Sequence, residues 1–327
     1  MSVDSLTCPV EDPEDDGQRA DVVLGRRLPG LSRRVARRMA LDGHVRLDGA
    51  RIPPSTRVRL GQRLEVRWTQ PETSSEDPRV EILKVTDDYV FALKPAGLHT
   101  HRLRPDQPPA LADMVAEAHP ECARASTDPR EGGAVHRLDL ETSGVVLFAR
   151  NRQAWSRARQ AFASGAVRKR YIALCHAPES WPPDPEDNLP GWIEPADPPW
   201  ELKIRAPVGR GARRSRAAVS LRGQPALTRL RRCDRSADGS LILCELDLQT
   251  GRRHQARVHL SWLGAPIVGD PRYGPGDDLD QPLMLHASAL DLGPAGPSAQ
   301  APLPPAFAEL LRSHNLQAPP VPDRDAP

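Results

Sequence analysis

The most constraining part of the chain is the segment HRLDLETSG, residues 136–144, together with the apolar run VVLFA that follows it at 145–149. The length and β-branched start of this run predict a buried strand. Asp139 then lies in a loop at the mouth of a buried strand, where a rigid scaffold often fixes catalytic carboxylates. An isolated aspartate more often caps a turn or pairs with a neighbour such as Arg137. The rest of the chain decides between these two interpretations.

Length and composition limit the class of protein. At 327 residues the chain is long enough for about two domains. Its 39% hydrophobic and 27% charged residues are typical of a globular protein, and its apolar runs are too short to span a membrane. Residues 1–18 are acidic and lack an apolar segment, which argues against a secretory signal. Five cysteines without a CxxC pair predict reduced thiols in the cytoplasm, and neither a disulfide framework nor a zinc site.

Positive charge is concentrated near the start of the chain. Residues 20–69 contain 12 Arg and 4 acidic residues, although the whole chain has a formal net charge of only +2. Arginine offers a planar fork for phosphate and a flat face for base stacking. A basic module beside a nearly neutral remainder predicts a nucleic-acid-binding unit attached to a second domain.

The pattern of residues 20–69 predicts a small α/β module. A helix is expected at 31–39 with Ser32 as its cap, followed by an alternating strand at 42–49 and a strand pair that ends at 64–66. The module resembles the αL-type RNA-binding module first described in a small-subunit ribosomal protein. The residues that carry this resemblance are, in order, Ser32, Arg33, Arg34, Gly43, Val45, Gly49 and Gly61.

The predicted helix of this module carries one strongly basic face. Its members are Arg33, Arg34, Arg37 and Arg38. This face could simply be solvated, but like charges three and four residues apart destabilise a helix. Contact with RNA phosphates is therefore the better explanation for it, with the salt sensitivity that counterion release brings.

The remaining ranges have distinct compositions. We expect a disordered acidic N-terminus at 1–19, a linker at 70–78, one mixed α/β domain at 79–312 and a Pro-rich tail at 313–327. Within the large domain, residues 178–200 are dense in proline and predict an inserted loop. Strands are predicted at 80–85, 89–92, 145–149, 170–175, 241–248 and 285–290. Helices are predicted at 111–118, 153–164 and 254–263.

Several short motifs accompany the opening segment in a fixed order. They are KPAGL at 94–98, RKRYIAL at 168–174, LQTGRRHQARVH at 248–259, GAPIVGD at 264–270 and LHA at 285–287. Together these motifs resemble the RluA/RluD-type family of RNA pseudouridine synthases over residues 79–312. The resemblance implies an α+β fold, with a central mixed, mainly antiparallel sheet flanked by helices and loops and preceded by the small RNA-binding module.

The resemblance also implies a reaction, the isomerisation of uridine in RNA without cofactor or metal. Asp139 matches the catalytic aspartate, a nucleophile that attacks either ribose carbon 1′ or the uracil ring. Tyr171 matches the tyrosine that stacks on the uracil. Arg257 matches the arginine that pairs with the aspartate and keeps it ionised in a dry pocket. Without the motifs, Tyr171 would be a core residue and Arg257 a structural salt bridge.

Three residues of the opening segment belong to the implied RNA-binding set. Arg137 matches the position whose side chain fills the stack vacated by the flipped base, which offsets part of the cost of flipping. His136 and Thr142 complete the set.

The sequence also bears on alternative functions. His254, His259 and His286 could suggest a metal, but no cysteine or acidic cluster accompanies them, so hydrogen bonding or packing is favoured. A non-catalytic RNA-binding or ribosome-assembly protein is the second hypothesis, and metal-dependent nucleoside hydrolysis lacks ligands. The layout favours large-subunit ribosomal RNA as partner, with transfer RNA as the alternative, and a cytoplasmic monomer is the simplest expectation.

Overall fold

The chain divides into two compact units, residues 1–78 and 79–327. Short strands form the sheet of the first unit. The computed structural model of the protein describes residues 3–28, 36–37, 39–40, 44–69, 80–102, 107–181, 192–196, 201–213, 216–276, 278, 281–293 and 296–319.

The first unit contains a four-stranded antiparallel sheet and, among its described residues, a helix of eight residues. The strand order is β1-β4-β2-β3, with β1 at Val3–Pro9, β2 at Val45–Leu47, β3 at Ala50–Arg51 and β4 at Arg63–Thr69. Helix α1 spans Ala20–Arg27 and buries Val23 and Leu24 in the core of this unit. The expected disorder at 1–19 is therefore wrong for residues 3–9, because every one of them pairs with β4.

The predicted basic helix lies partly outside the described residues, and Arg33, Arg34 and Arg38 are among those outside. Residues 36–37 and 39–40 are helical. Ala36 and Ala40 are buried whereas Arg37 is exposed. One face of this helical turn is therefore buried while Arg37 faces solvent, as a basic surface requires. Helix α1 was not predicted.

A single large sheet dominates the second unit. Its order is β5-β6-β7-β15-β8-β14-β13-β10-β9, and β16 pairs with β15. Among the described pairings only β7 with β15 is parallel, so the expected mixed, mainly antiparallel sheet is confirmed. The strands are β5 Ile82–Val85, β6 Tyr89–Lys94, β7 Ser143–Ala149, β8 Arg168–His176, β9 Ile193–Ala196, β10 Glu201–Ile204, β13 Thr228–Arg235, β14 Leu241–Leu248, β15 Leu285–Asp291 and β16 Ser298–Gln300. A separate hairpin consists of β11 Val208–Arg210 and β12 Ala217–Val219.

Helices of this unit follow the apolar periodicity of the sequence. They are α2 Leu111–Ala118, α3 Arg152–Ser164, α4 Gln255–Trp262 and α5 Pro305–Ser313. The six strands and three helices predicted for this region are confirmed to within two residues at each end. No helix of the described residues is long and apolar enough to cross a bilayer.

The predicted loop at 178–200 is partly strand. Residues 193–196 form β9, which pairs with β10 and places Ile193 in the core. The loop prediction is wrong there, because tertiary pairing overrides the proline content of the segment. In the predicted tail at 313–327, Leu316 packs into the same core.

Strand β7 explains why the run 145–149 is continuously apolar. All seven of its residues are buried. Val146 and Phe148 face one hydrophobic cluster while Val145, Leu147 and Ala149 face another, so both surfaces of the sheet are covered at this strand. The loop that precedes β7 is consequently anchored to the most buried part of the sheet.

Candidate active site

Asp139 lies in a turn that is fixed on both sides. The Leu138 N–H donates to Thr100 Oγ1 at 3.2 Å, and the Leu138 side chain is buried. On the other side the Thr142 N–H donates to the Asp139 carbonyl oxygen at 3.2 Å. The Asp139 side chain keeps 23% of its surface exposed, so the backbone is held while the carboxylate remains accessible.

Lys94 joins this turn to the end of β6. Its buried ammonium donates to the carbonyl oxygens of Pro95, Leu98 and Leu140 at 3.0, 2.7 and 3.1 Å. Burial lowers the pKa of Lys94 to about 7, against the opposing charge of Asp139. The sequence predicted only a turn at 94–98; the structure shows that this turn supports the residue after Asp139.

Close packing between β7 and β15 fixes the position where the Asp139 loop ends and β7 begins. A Cβ on Gly144 would come within 2.2 Å of the Ala287 carbonyl oxygen, and its φ of +125° also requires glycine. Beside it, Ser143 Oγ lies 2.9 Å from His286 Nδ1, and His286 Nε2 lies 3.3 Å from the Ala301 carbonyl oxygen. Nε2 therefore donates, and Nδ1 accepts from the Ser143 hydroxyl.

Arg257 is fully buried on α4 and is held by an acid that the sequence did not assign. Its Nε and Nη2 donate to the two oxygens of Asp270 at 2.7 and 2.6 Å, a bidentate pair. Its Nη1 lies 3.3 Å from Glu141 Oε2 and 3.7 Å from Asp139 Oδ2. The predicted pairing with Asp139 thus exists as an ion pair beyond normal hydrogen-bond length. Asp270 is the tight partner.

A second arginine, Arg272, also contacts Glu141. Arg272 Nη1 donates to Glu141 Oε1 at 2.7 Å. Burial alone would raise the pKa of Glu141, but the Arg272 hydrogen bond and the charges of Arg257 and Arg272 lower it to about 2. We call the five residues Asp139, Glu141, Arg257, Asp270 and Arg272 the arginine–carboxylate cluster.

His254 faces the other oxygen of the aspartate. It precedes α4 in a left-handed conformation with φ of 54°, and its Nε2 lies 3.9 Å from Asp139 Oδ1. The Tyr273 hydroxyl accepts from the Ala217 N–H and contacts His254 Nδ1, each at 2.8 Å. Burial lowers the pKa of His254 to about 4, with Asp139 opposing. A neutral ring that accepts at Nδ1 carries its proton on Nε2, facing the carboxylate.

Tyr171 lies on β8, buried in the main hydrophobic cluster. Burial raises the pKa of its phenol, and the charge of Asp139 raises it further, so the hydroxyl stays protonated. The side chain borders a cavity of about 680 Å³ that is also lined by Arg137, Arg159, Phe162, Lys169 and Arg252. The structure therefore joins Asp139 and Arg257 in one cluster and places Tyr171 within its electrostatic reach.

The remaining predicted residues take different positions. Arg137 is exposed at the cavity, and Thr142 is buried under the turn. The His136 ring stacks on Phe162 at 4.7 Å, and its Nε2 accepts from the Leu147 N–H at 3.1 Å. Burial, with the charges of Lys169 and Arg159, lowers the pKa of His136 to about 3. His136 therefore positions the loop while it lines the cavity.

Several residues of the site have no role predicted from the sequence. Asp270 and Glu141 both lay inside quoted motifs, and Tyr273 follows the first of them by three positions. Their signal was an acid inside a motif whose other members were already assigned or, for Tyr273, a tyrosine shortly after such a motif. The histidines weighed as metal ligands are hydrogen-bonded within the protein; His259, for example, contacts Thr228 Oγ1 and the Ala206 carbonyl oxygen.

Comparison with protein families gives two matches. The family described as RNA pseudouridylate synthase matches residues 88–262, and the S4 domain family matches residues 18–64. The first covers the Asp139 loop, β8 and α4. The second covers most of the predicted basic module.

Individual relatives agree with these matches. An uncharacterized RNA pseudouridine synthase of Chloroflexus aurantiacus is 34% identical over 80% of this chain and 77% of its own length. The ribosomal large subunit pseudouridine synthase D of Xanthomonas campestris is 32% identical over 79% of this chain and 72% of its own. The solved structure of human RNA pseudouridylate synthase domain containing 1 covers 78% of this chain and 100% of that one, at 23% identity and a TM-score of 0.53. That structure supports the fold alone.

Proposed function

Because the chain belongs to the RNA pseudouridylate synthase family, we propose that it converts uridine to pseudouridine in large-subunit ribosomal RNA, with Asp139 as the nucleophile. The enzyme class, an RNA pseudouridine synthase and thus an isomerase, follows from the family. The observation that carries the assignment of Asp139 is its carboxylate, held on a fixed turn with Oδ2 toward Arg257 and Oδ1 toward His254.

The geometry suits a carboxylate that must form and release a bond. Arg257 is drawn toward Asp270, so it stabilises the charge of Asp139 from 3.7 Å without a short hydrogen bond to its oxygens. The lone pairs of Asp139 stay available to an electrophilic carbon of the substrate. A buried neutral Tyr171 offers a ring face for the uracil and leaves the negative charge of the site on Asp139.

The reaction is an isomerisation, so the composition of the nucleotide is unchanged, although one proton leaves it and another is taken up. The bond between ribose carbon 1′ and uracil N1 breaks, the base turns in the pocket, and carbon 5 joins carbon 1′. The proton on carbon 5 is released and N1 takes up a proton from the site or solvent. Asp139 is regenerated, whether it attacks carbon 1′ or the uracil ring, so these two routes remain alternatives within the proposal.

Two observations support a ribosomal substrate. The S4 domain precedes the catalytic unit, and relatives at 30–32% identity are named ribosomal large subunit pseudouridine synthase D. Transfer RNA is the alternative substrate. We also propose a cytoplasmic location, in keeping with the five free cysteines. The protein is proposed to be a monomer, and light scattering would test its oligomeric state.

The decisive measurement is tritium release from RNA that carries carbon 5-labelled uridine. Wild-type protein should release tritium from a large-subunit ribosomal RNA transcript without added metal or nucleotide. Asp139→Asn should release none yet bind the same RNA. Asp234→Asn makes the same chemical change on β13 outside the cluster and should remain active.

Two outcomes would contradict the proposal in different ways. Tritium release by Asp139→Asn at the wild-type rate would contradict the assignment of Asp139 as the nucleophile but not the enzyme class. Failure of the wild-type protein to release tritium from any ribosomal or transfer RNA would favour the non-catalytic RNA-binding hypothesis. Mapping pseudouridine in both RNAs from cells with and without the gene would identify the target.

A further inference from the structure

We propose that the cavity beside Tyr171 binds a phosphate of the RNA backbone, with Lys169 as its central contact and Arg159 and Arg252 as its flanks. We call the four cationic residues of this cavity, Arg137, Arg159, Lys169 and Arg252, the basic pocket. The inference rests on the proposed RNA substrate. It adds a binding subsite that the reaction itself does not require.

Among the described residues, the lining of the pocket contains cations and no carboxylate. The described contacts of three of these cations are to carbonyl oxygens. Lys169 Nζ donates to the Thr250 carbonyl oxygen at 3.1 Å, Arg159 Nη1 to that of Val135 at 3.1 Å, and Arg252 Nε to that of Pro225 at 2.8 Å. A carbonyl oxygen orients a cation without neutralising it. Lys169, Arg159 and Arg252 are therefore held in place, and no carboxylate of the described lining compensates their charge.

Lys169 is the most informative of the four. It is only 8% exposed, and burying an unpaired ammonium is costly. Burial and the charge of Arg252 lower its pKa to about 8. One of its three donors is used by Thr250, and its ammonium lies 5.9 Å from the centre of the Phe162 ring. A ligand that brings negative charge to the remaining donors would offset the cost of this burial.

The position of Lys169 links the pocket to the chemistry. It lies two residues before Tyr171 on β8, so both side chains leave the same face of the sheet, about 7 Å apart. A nucleotide whose base lies against Tyr171 has its own phosphates and those of its neighbours within a short reach. Backbone phosphate is the anion that a stacked nucleotide necessarily brings there.

A second cavity continues the same charge pattern. Arg252 also lines a cavity of about 620 Å³ whose other cations are Arg210, Arg216, Arg222 and Arg253, and the part of its lining that the structure describes again contains no carboxylate. An RNA strand that leaves the first cavity past Arg252 would meet phosphate-binding side chains there. The continuity favours an extended polyanion over a small free anion.

The salt dependence of RNA binding tests the proposal. The probe is an unmodified large-subunit ribosomal RNA transcript, titrated at several KCl concentrations. Each phosphate contact contributes about 0.7 to 0.9 to the slope of log K against log salt concentration. Lys169→Met should reduce the slope by that amount, and Lys169→Arg should restore it. The matched control Lys203→Met removes the same charge from β10 outside the pocket and should leave the slope unchanged. Equal slopes for wild type, Lys169→Met and Lys203→Met would overturn the proposal.

A short RNA locates the contact and separates it from general electrostatics. In a single-stranded RNA with one uridine, the phosphates around that uridine are replaced one at a time by uncharged methylphosphonate. One replacement should weaken wild-type binding by several fold while leaving the affinity of Lys169→Met unchanged. If every replacement weakened both proteins equally, the phosphate subsite would be wrong. Because neither assay needs turnover, a failure of tritium release would count against the proposed reaction and not against the subsite.

Discussion

Two groups of cations in the catalytic unit differ in how their charge is compensated. In the arginine–carboxylate cluster, Arg257 and Arg272 each contact carboxylates at 2.6 to 3.3 Å. In the basic pocket, Lys169, Arg159 and Arg252 contact carbonyl oxygens. The first group is complete without a ligand, whereas the second retains its charge for one.

The difference separates positioning from binding. A buried arginine with a bidentate carboxylate partner is a rigid part of the scaffold, and its loss leaves an unpaired charge inside the protein. A cation held by a carbonyl oxygen keeps its remaining donors for charge-assisted hydrogen bonds to phosphate. We therefore expect substitutions in the cluster to affect folding and turnover, and substitutions of Lys169, Arg159 or Arg252 in the pocket to affect mainly RNA binding.

Acid should have the largest effect on the stability of the catalytic unit, through three buried histidines, of which His254 faces Asp139 of the cluster. Burial lowers the pKa values of His254, His259 and His286 from 6.5 to about 4. Between these pH values the unfolded chain binds protons that the folded chain does not, so the free energy of unfolding falls as pH drops. Each histidine should contribute about 2 kcal/mol of this loss between pH 6.5 and 4.5.

Urea unfolding followed by circular dichroism at several pH values measures this loss. His286→Gln should show a shallower pH dependence by about 2 kcal/mol over the same range. A wild-type protein equally stable at pH 6.5 and 4.5 would mean that these rings do not stay neutral in the fold.

Removal of the tight partner of Arg257 should have the next largest effect. Asp270→Asn leaves the guanidinium buried without its bidentate carboxylate, and we expect a loss of about 3 to 5 kcal/mol in the free energy of unfolding. Glu194→Gln breaks the half-exposed pair with Arg205 and should cost less than about 1 kcal/mol. Chemical denaturation of both variants provides the comparison. Similar losses in the two would contradict the structural role of Asp270.

The Tyr273 hydroxyl should matter for turnover more than for folding. Tyr273→Phe removes the group that fixes the proton of His254 on the nitrogen facing Asp139. We expect the single-turnover rate to fall by about tenfold, equivalent to about 1.4 kcal/mol in the barrier, with RNA affinity unchanged. Tyr89→Phe loses a hydroxyl that donates to the Ala154 carbonyl oxygen and should keep its rate. Equal rates for both variants would remove the positioning role.

The sequence predicted those parts of the fold that depend on local periodicity. Strand β14 and helix α2 have the predicted bounds, because their apolar pattern is itself the burial pattern. Strand β1 was missed because residues 1–18 are acidic as a whole, and Val3–Pro9 is a strand through its pairing with β4. The partner of Arg257 was assigned to Asp139 by resemblance. Three carboxylates compete for that guanidinium, and only their tertiary distances rank Asp270 first.

The smallest effect on stability is expected at Arg137. Its substitution tests whether the side chain contributes to RNA binding in general or to extrusion of the target base. Arg137 is exposed and makes no hydrogen bond or ion pair within the described part of the chain. Arg137→Met should therefore change the free energy of unfolding by less than about 0.5 kcal/mol.

If the Arg137 side chain fills the space left by the flipped base, the Arg137→Met variant should isomerise a base-paired uridine more slowly. A uridine that is already unpaired should react nearly normally, because less stacking is lost on flipping. Arg124→Met, another exposed arginine, should react normally with both RNAs. Equal slowing of Arg137→Met on both RNAs would assign Arg137 to general RNA binding in place of insertion.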